Sequence, residues 1–143
     1  METLSPSQTK LKKLRILIAE DDTTQRTIWS QVLRLVDETA EVYWADSYEA
    51  VAKTFEDTKT LVESFDLLIS DIFLNGSATG FDICKDYFHK FNGQVILVSS
   101  FGEIDVPKPL AENFRRKEPI YLKKPLNVPQ AVLILKKILP NHA

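Results

Sequence analysis

The sequence predicts an α/β protein: a doubly wound sheet of five parallel strands with helices on both faces. Two observations predict it. Short apolar runs alternate along the chain with segments whose apolar residues recur at helical spacing. The runs are also nearly continuous in apolar residues, as strands buried on both faces are, whereas a sheet with one wet face would alternate.

The elements follow in order. LRILIA, Leu14 to Ala19, is the first strand-like run. In TTQRTIWSQVLRLVDE, Ile28, Val32 and Leu35 recur with Trp29, Leu33 and Val36 at helical spacing, and Thr23 or Thr24 is the expected N-cap. EVYWA, Glu41 to Ala45, is the second strand, followed by a long or broken helix in SYEAVAKTFEDTKTLVESF. DLLIS, Asp66 to Ser70, is the third, stopping just before Asp71. The loop NGSATG leads into the helix FDICKDYFHKF, then QVILVSS forms the fourth strand and IYLKK, Ile120 to Lys124, the fifth. NVPQAVLILKKIL closes the chain as a helix capped by Asn127, with Pro129 tolerated in the first turn. Between the last two strands, Pro107 and Pro109 restrict any helix to roughly Leu110 to Arg116.

Length and composition bound the function. A chain of 143 residues fits one domain with a sizeable core, read as residues 10–143 behind a flexible tail, residues 1–9. The formal net charge of −2 argues against direct nucleic-acid binding, which needs a basic excess or stripe. A single cysteine, Cys84, excludes an internal disulfide and suits a reducing cytoplasm, where it reads as a small buried apolar residue. No stretch reaches the ~18 apolar residues that span a bilayer, and the polar start lacks a signal peptide's apolar core, so no membrane insertion is expected.

Ligands of doubly wound sheets bind outside the carboxyl ends of the strands. Glu20, Asp21 and Asp22 follow the first strand, Asp71 the third, Ser99 and Ser100 the fourth, and Lys124, then Pro125, the fifth. At ~4 Å and an effective dielectric of ~20, two carboxylates repel by ~4 kcal/mol, so such crowding calls for compensation. Acids converging with one ammonium leave a negative pocket that a hard dication neutralises. Mg²⁺ suits it, since it accepts one or two carboxylates and keeps positions for water and phosphate oxygens. A dinucleotide pocket is rejected: the turn EDDTTQ has no glycine to bring backbone N–H groups to a phosphate.

These four motifs, in this order, resemble the receiver domain of two-component response regulators, over roughly Leu14 to Leu139. The resemblance implies a flavodoxin-like fold and a phosphorylatable switch that takes a phosphoryl group from a histidine kinase or histidine phosphotransferase. It implies Asp21 as direct Mg²⁺ ligand with Glu20 acting through water, a register supported by the basic Arg26, and leaves Asp22 peripheral. Asp71 is then both the phosphoacceptor and a metal ligand, the Phe73 carbonyl a further metal ligand, and Ser99 and Lys124 the partners of the phosphoryl group. Tyr121 falls where the family has its switch aromatic. Phe73 and Phe101 flank the phosphoryl group and offer no polar atom to orient water, so self-dephosphorylation is expected to be slow. Departures from the pattern are Asn75 in place of a proline, a longer loop before Gly80, and ENFRRKEPIYL leading into the fifth strand.

The expected protein is a stand-alone cytoplasmic receiver that signals through a downstream protein target or a homodimer. The closing helix is apolar at Val132, Leu133, Ile134, Leu135, Ile138 and Leu139, which cover more than one face; core packing explains half of these, and the surplus points to such a contact. Partner choice is expected on the first helix around Thr24, Gln25 and Ile28. Beyond its own phosphorylation and dephosphorylation it is not expected to be an enzyme. Two alternatives stand beside this reading. One is a pseudo-receiver acting as a constitutive binding module, which the complete acid, hydroxyl and lysine set opposes. The other is a metal-dependent phosphatase, which would need a proton donor where Phe73 stands. His89 and His142 do not resemble metal ligands or phosphodonors, and the Arg115-Arg116-Lys117 run reads as a solvated turn.

Overall fold

A computed structural model of the chain describes residues 13–57, 65–72, 80–86, 93–99 and 119–139. Outside them lie the expected tail, the helix at Leu110 to Arg116 with its basic run, Asn75, His89 and His142. The elements are β1 (Arg15–Ala19), α1 (Thr23–Val36), β2 (Glu41–Ala45), α2 (Tyr48–Asp57), β3 (Leu67–Asp71), α3 (Gly80–Asp86), β4 (Gln94–Ser99), β5 (Ile120–Lys123) and α4 (Val128–Ile138).

All five strands are parallel, in the order β2-β1-β3-β4-β5. This is the flavodoxin-like doubly wound order, with its switch point between β1 and β3. The two-residue period of a strand explains why the apolar runs are unbroken: alternate residues feed two separate cores. Leu17, Leu68, Val95 and Leu97 face one core with Val51, Ile83 and Cys84 of α2 and α3. Ile16, Ile18, Ile69, Ile96 and Val98 face the other with Trp29 and Val32 of α1 and Ala131 and Leu135 of α4. Each large side chain buried this way stabilises the fold by roughly 1.5–3 kcal/mol before conformational entropy is counted.

Some predicted boundaries are corrected. Leu14 and Asp66 precede their strands, and the Asp66 carboxylate accepts a hydrogen bond from the Arg15 amide at 3.0 Å. Asp71 is the last residue of β3 rather than the first beyond it, and β5 stops at Lys123, one residue short of the predicted run, so that Lys124 follows it as the site reading expects. The cap of α1 is neither threonine. Asp22 holds it, its Oδ1 accepting from the amides of Thr24 at 2.7 Å and Gln25 at 3.3 Å. A carboxylate outcompetes a hydroxyl there because it also meets the positive end of the helix dipole. One of the three crowded acids is thus occupied by capping.

The predicted Asn127 cap of α4 is present, its Oδ1 accepting from the Gln130 amide at 2.9 Å. Lys136 and Lys137 occupy the last turn, where cations are favoured. Packing accounts for four of the six residues that make the closing helix apolar on more than one face, and Leu133 and Ile134 belong to neither core. Leu135 is buried, Val132 and Ile138 lean on the core, and Leu133 remains 66% exposed. On α1, Thr24 is exposed while Ile28 packs partly into the core.

Candidate functional site

The register of the sheet assembles the site. Ala19 pairs with Ser70, so Glu20 and Asp71 follow on adjacent strands at the switch point. Asp71 pairs with Val98, which places Ser99 one position farther along β4. The ladder continues past both strand ends: the Ile72 amide donates to the Val98 carbonyl at 2.9 Å, and the Lys124 amide to the Ser99 carbonyl at 2.8 Å. Lys124 is joined to Pro125 by a cis peptide bond.

Three side chains meet at short range. Lys124 Nζ lies 2.7 Å from Asp71 Oδ2 and 3.1 Å from Glu20 Oε1. Oxygens of Glu20, Asp21 and Asp71 all fall within 4.8 Å of one another. Glu20 is 1% exposed and Asp71 6%, while Asp21 is half-buried and reaches the rim. Ser99 is fully buried at the end of β4. Tyr121 is half-buried on β5, leans on the core beneath α2 and α3, and lines a shallow groove with Lys123, Pro125, Asn127 and Gln130. Phe73, Ser100 and Phe101 lie outside the described residues.

The turn bearing the acids is held from several sides. The Glu20 amide donates to the Ala45 carbonyl at 2.8 Å, and the Glu20 carbonyl accepts from Arg26 Nε at 2.8 Å. The Glu20 carboxylate also accepts from the Asp22 amide at 3.2 Å. Sequence reasoning used Arg26 only as a register marker and missed this contact, whose one signal is a cation one to two helical turns past the acids. It also missed the direct Glu20–Lys124 pair, which depends on the strand order.

Burial pushes the Glu20 carboxyl up to about 7, with the nearby Asp71 charge adding to the rise and the Asp22 amide and Lys124 opposing it. For Lys124, burial works against the charged form, but the hydrogen bond to Asp71 and the charges of Glu20 and Asp71 outweigh it and raise its pKa. Lys124 therefore stays an ammonium at neutral pH.

With all groups ionised, three carboxylates against one ammonium leave two negative charges in a largely buried pocket. The donor set fits Mg²⁺: hard oxygens only, at a spacing a small dication bridges directly or through its own waters. Such a pocket can neutralise a dication on its acids and present Lys124 to an incoming anion.

A family model described as the response regulator receiver domain matches residues 16–135. Among solved structures, the chain is similar to a putative response regulator from Chloroflexus aurantiacus J-10-fl, at 25% identity over 89% of this chain and 98% of that one, with a TM-score of 0.65. It is similar to a response regulator receiver domain protein from Bacillus halodurans C-125, at 20% identity over 91% and 100% of the two chains and a TM-score of 0.65. The chemotaxis protein CheY4 of Vibrio cholerae aligns over 90% of this chain and 100% of its own, at 20% identity and a TM-score of 0.65. No curated protein matches the sequence.

Proposed function

Because the chain belongs to the response regulator receiver family, whose members are phosphorylatable signalling switches, we propose that it takes a phosphoryl group onto Asp71 from a phosphohistidine of a histidine kinase or histidine phosphotransferase. The observation that carries this reading is the placement of Lys124 Nζ 2.7 Å from Asp71 Oδ2, inside a cluster of three carboxylates.

In the proposed reaction an Asp71 carboxylate oxygen attacks phosphorus and the P–N bond to the donor imidazole breaks, its electron pair remaining on that nitrogen, which takes up a proton. Bound Mg²⁺ would supply charge neutralisation of the phosphoryl oxygens. Asp21 and Asp71 would hold the ion directly, Glu20 through water, and the Phe73 carbonyl would complete the protein ligands. Lys124, fixed between Glu20 and Asp71, stabilises the negative charge of the transferring group. Ser99 then bonds the new phosphoryl group, and its inward shift opens space for Tyr121 to turn. Because Tyr121 lines the groove beside Pro125 and Gln130, that rotation would alter a surface open to a downstream protein or a second copy.

The reading places the protein in the cytoplasm. Among the described residues no helix is long and apolar enough to cross a membrane.

Intact mass measured after incubation with acetyl phosphate and Mg²⁺ tests the proposal. One phosphoryl group is expected on the wild type and none on Asp71→Asn or after chelation of the metal. A wild type that binds Mg²⁺ yet gains no mass would instead make the chain a pseudo-receiver.

Metal binding also carries a pH signature. With Glu20 raised from 4.5 to about 7, the folded protein holds a proton across that window that the unfolded chain has released. Stability of the metal-free protein therefore falls as pH rises from about 4.5 to about 7. Mg²⁺ needs the ionised carboxylate, so its apparent affinity is expected to drop by up to about tenfold per pH unit below 7. Melting temperatures with and without Mg²⁺ at about pH 5.5 and about pH 8 check this. An equal Mg²⁺ shift at both would be inconsistent with a role for Glu20, and Glu20→Gln should flatten the dependence.

A further inference from the structure

Beside the acid cluster stands a contact that the switch chemistry leaves unused. The guanidinium of Arg26 lies over the indole of Trp44, 5.5 Å from the ring centroid, while its Nε donates to the Glu20 carbonyl at 2.8 Å. Trp44 sits in β2 opposite Ile18 of β1, and the next residue, Ala45, accepts from the Glu20 amide at 2.8 Å. The backbone of Glu20 is therefore gripped on both sides, by the end of β2 through its N–H and by Arg26 through its C=O. Trp44 stands beneath Arg26 and adjoins the residue holding the other side.

The turn needs such a grip. EDDTTQ contains no glycine and carries three consecutive acids, and the carboxylates of Glu20, Asp21 and Asp71 are drawn within 4.8 Å. Lys124 offsets only one of these charges, so with all three acids ionised the turn is held against a net repulsion. A planar guanidinium suits the task because it can donate from its edge while its face rests on an aromatic ring. Lysine offers neither that fork nor that face.

We propose that Arg26 and Trp44 form a clamp that preorganises the acid-bearing turn, making both of them positioning residues for metal binding. The inference rests on the switch reading above and adds to it which residues set the metal affinity. Neither side chain touches the phosphoryl group in this scheme. Loss of the clamp raises the Mg²⁺ concentration needed to fill the site and leaves the rate at saturation unchanged.

The experiment is a double-mutant cycle on the full chain, using Arg26→Lys, Trp44→Leu and the combination, with Trp44→Phe as the conservative variant. Mg²⁺ alone is titrated calorimetrically. Acetyl-phosphate labelling is then followed against Mg²⁺ concentration, and thermal melts establish that each variant is folded. Each single change is expected to weaken Mg²⁺ binding about fivefold, the size of one partly buried cation–π contact. The double variant should be weakened little further, and Trp44→Phe should stay within about twofold of wild type. Half-saturation in the labelling assay should move in step, at constant maximal rate.

Unchanged Mg²⁺ affinity in folded variants would overturn the clamp, as would fully additive losses, which show Arg26 and Trp44 acting independently. A lowered maximal rate and melting temperature at unchanged affinity would reduce Trp44 to packing and overturn it too. Should the wild type itself fail to bind Mg²⁺, the switch reading falls and the clamp with it; binding without labelling at Asp71 would overturn the switch reading alone. Either outcome appears in the wild-type arm before any variant is compared.

Discussion

Lys124→Met will destabilise the metal-free protein at neutral pH by on the order of 3 kcal/mol, because it strips a shared ammonium from two buried carboxylates. Methionine matches the stem of lysine closely enough that lost packing is minor. What it leaves is Glu20, 1% exposed, facing Asp71, 6% exposed, without the cation between them. Glu20 is already raised to about 7 with Lys124 pulling it down, so the substitution raises it further. The loss should therefore depend on pH. An acid whose folded pKa lies above its unfolded value destabilises the fold as it ionises, so the share due to Glu20 is small near pH 5 and grows towards pH 8, on top of the lost Asp71 pair. Urea unfolding at several pH values measures this directly. Added Mg²⁺ should recover part of the loss, since it supplies positive charge to the same oxygens. Labelling by acetyl phosphate at saturating Mg²⁺ should slow by about a hundredfold, typical for removal of one preorganised charge-stabilising group. A penalty that is equal at every pH would contradict the share assigned to Glu20.

The sheet was legible because two-sided burial leaves a plain trace: Ile16 to Ala19, Leu67 to Ile69 and Val95 to Val98 each spend alternate residues on opposite cores. Once those runs are strands, the residues after them are site candidates by the geometry of the fold alone. That is why Glu20, Asp21, Asp71, Ser99 and Lys124 could be named without knowing the strand order. Which of them touch could not be named, because the contact of Glu20 with Lys124 follows from β1, β3, β4 and β5 lying in that order. Asp22 was opaque for another reason. A carboxylate that caps a helix and one that binds a metal are the same residue type in the same run, and only backbone direction separates them. Trp44 carried no signal either, since an aromatic residue in a strand reads as ordinary core until Arg26 is seen resting on it. Phe73 and Phe101, and with them the expected slow loss of phosphate, lie outside the described residues.

Gly80→Ala should injure the fold and the site together, and the reason is a close approach that the sequence hides in the loop NGSATG. Gly80 opens α3 with its amide donating to the Ile72 carbonyl at 2.6 Å. A Cβ placed there would meet the Asp71 carbonyl oxygen at 2.5 Å, the Ile72 Cα at 2.9 Å and the Ser70 Oγ at 3.1 Å. The first two are backbone atoms at the end of a strand paired on both sides, to β1 and to β4, so they cannot yield as a flexible side chain would. Either α3 lifts away from Ile72 or the end of β3 is displaced. Overpacking of this kind costs about 1–3 kcal/mol, so urea unfolding should register a loss of roughly 2 kcal/mol. The two responses separate in a second measurement. Lifting α3 opens the core around Ile83 and Cys84 and leaves the acids where they are, so only stability falls. Displacing β3 carries Asp71 away from Lys124 and from the other carboxylates, so Mg²⁺ affinity falls as well. The end of β3 is held by ladders to β1 and β4, whereas Gly80 lies in the first turn of α3 with no ladder to hold it, so the helix is the softer element. The larger share of the effect should therefore appear in stability, with a smaller loss of Mg²⁺ affinity. Wild-type stability in Gly80→Ala would mean that the close approach between α3 and Asp71 does not exist in solution.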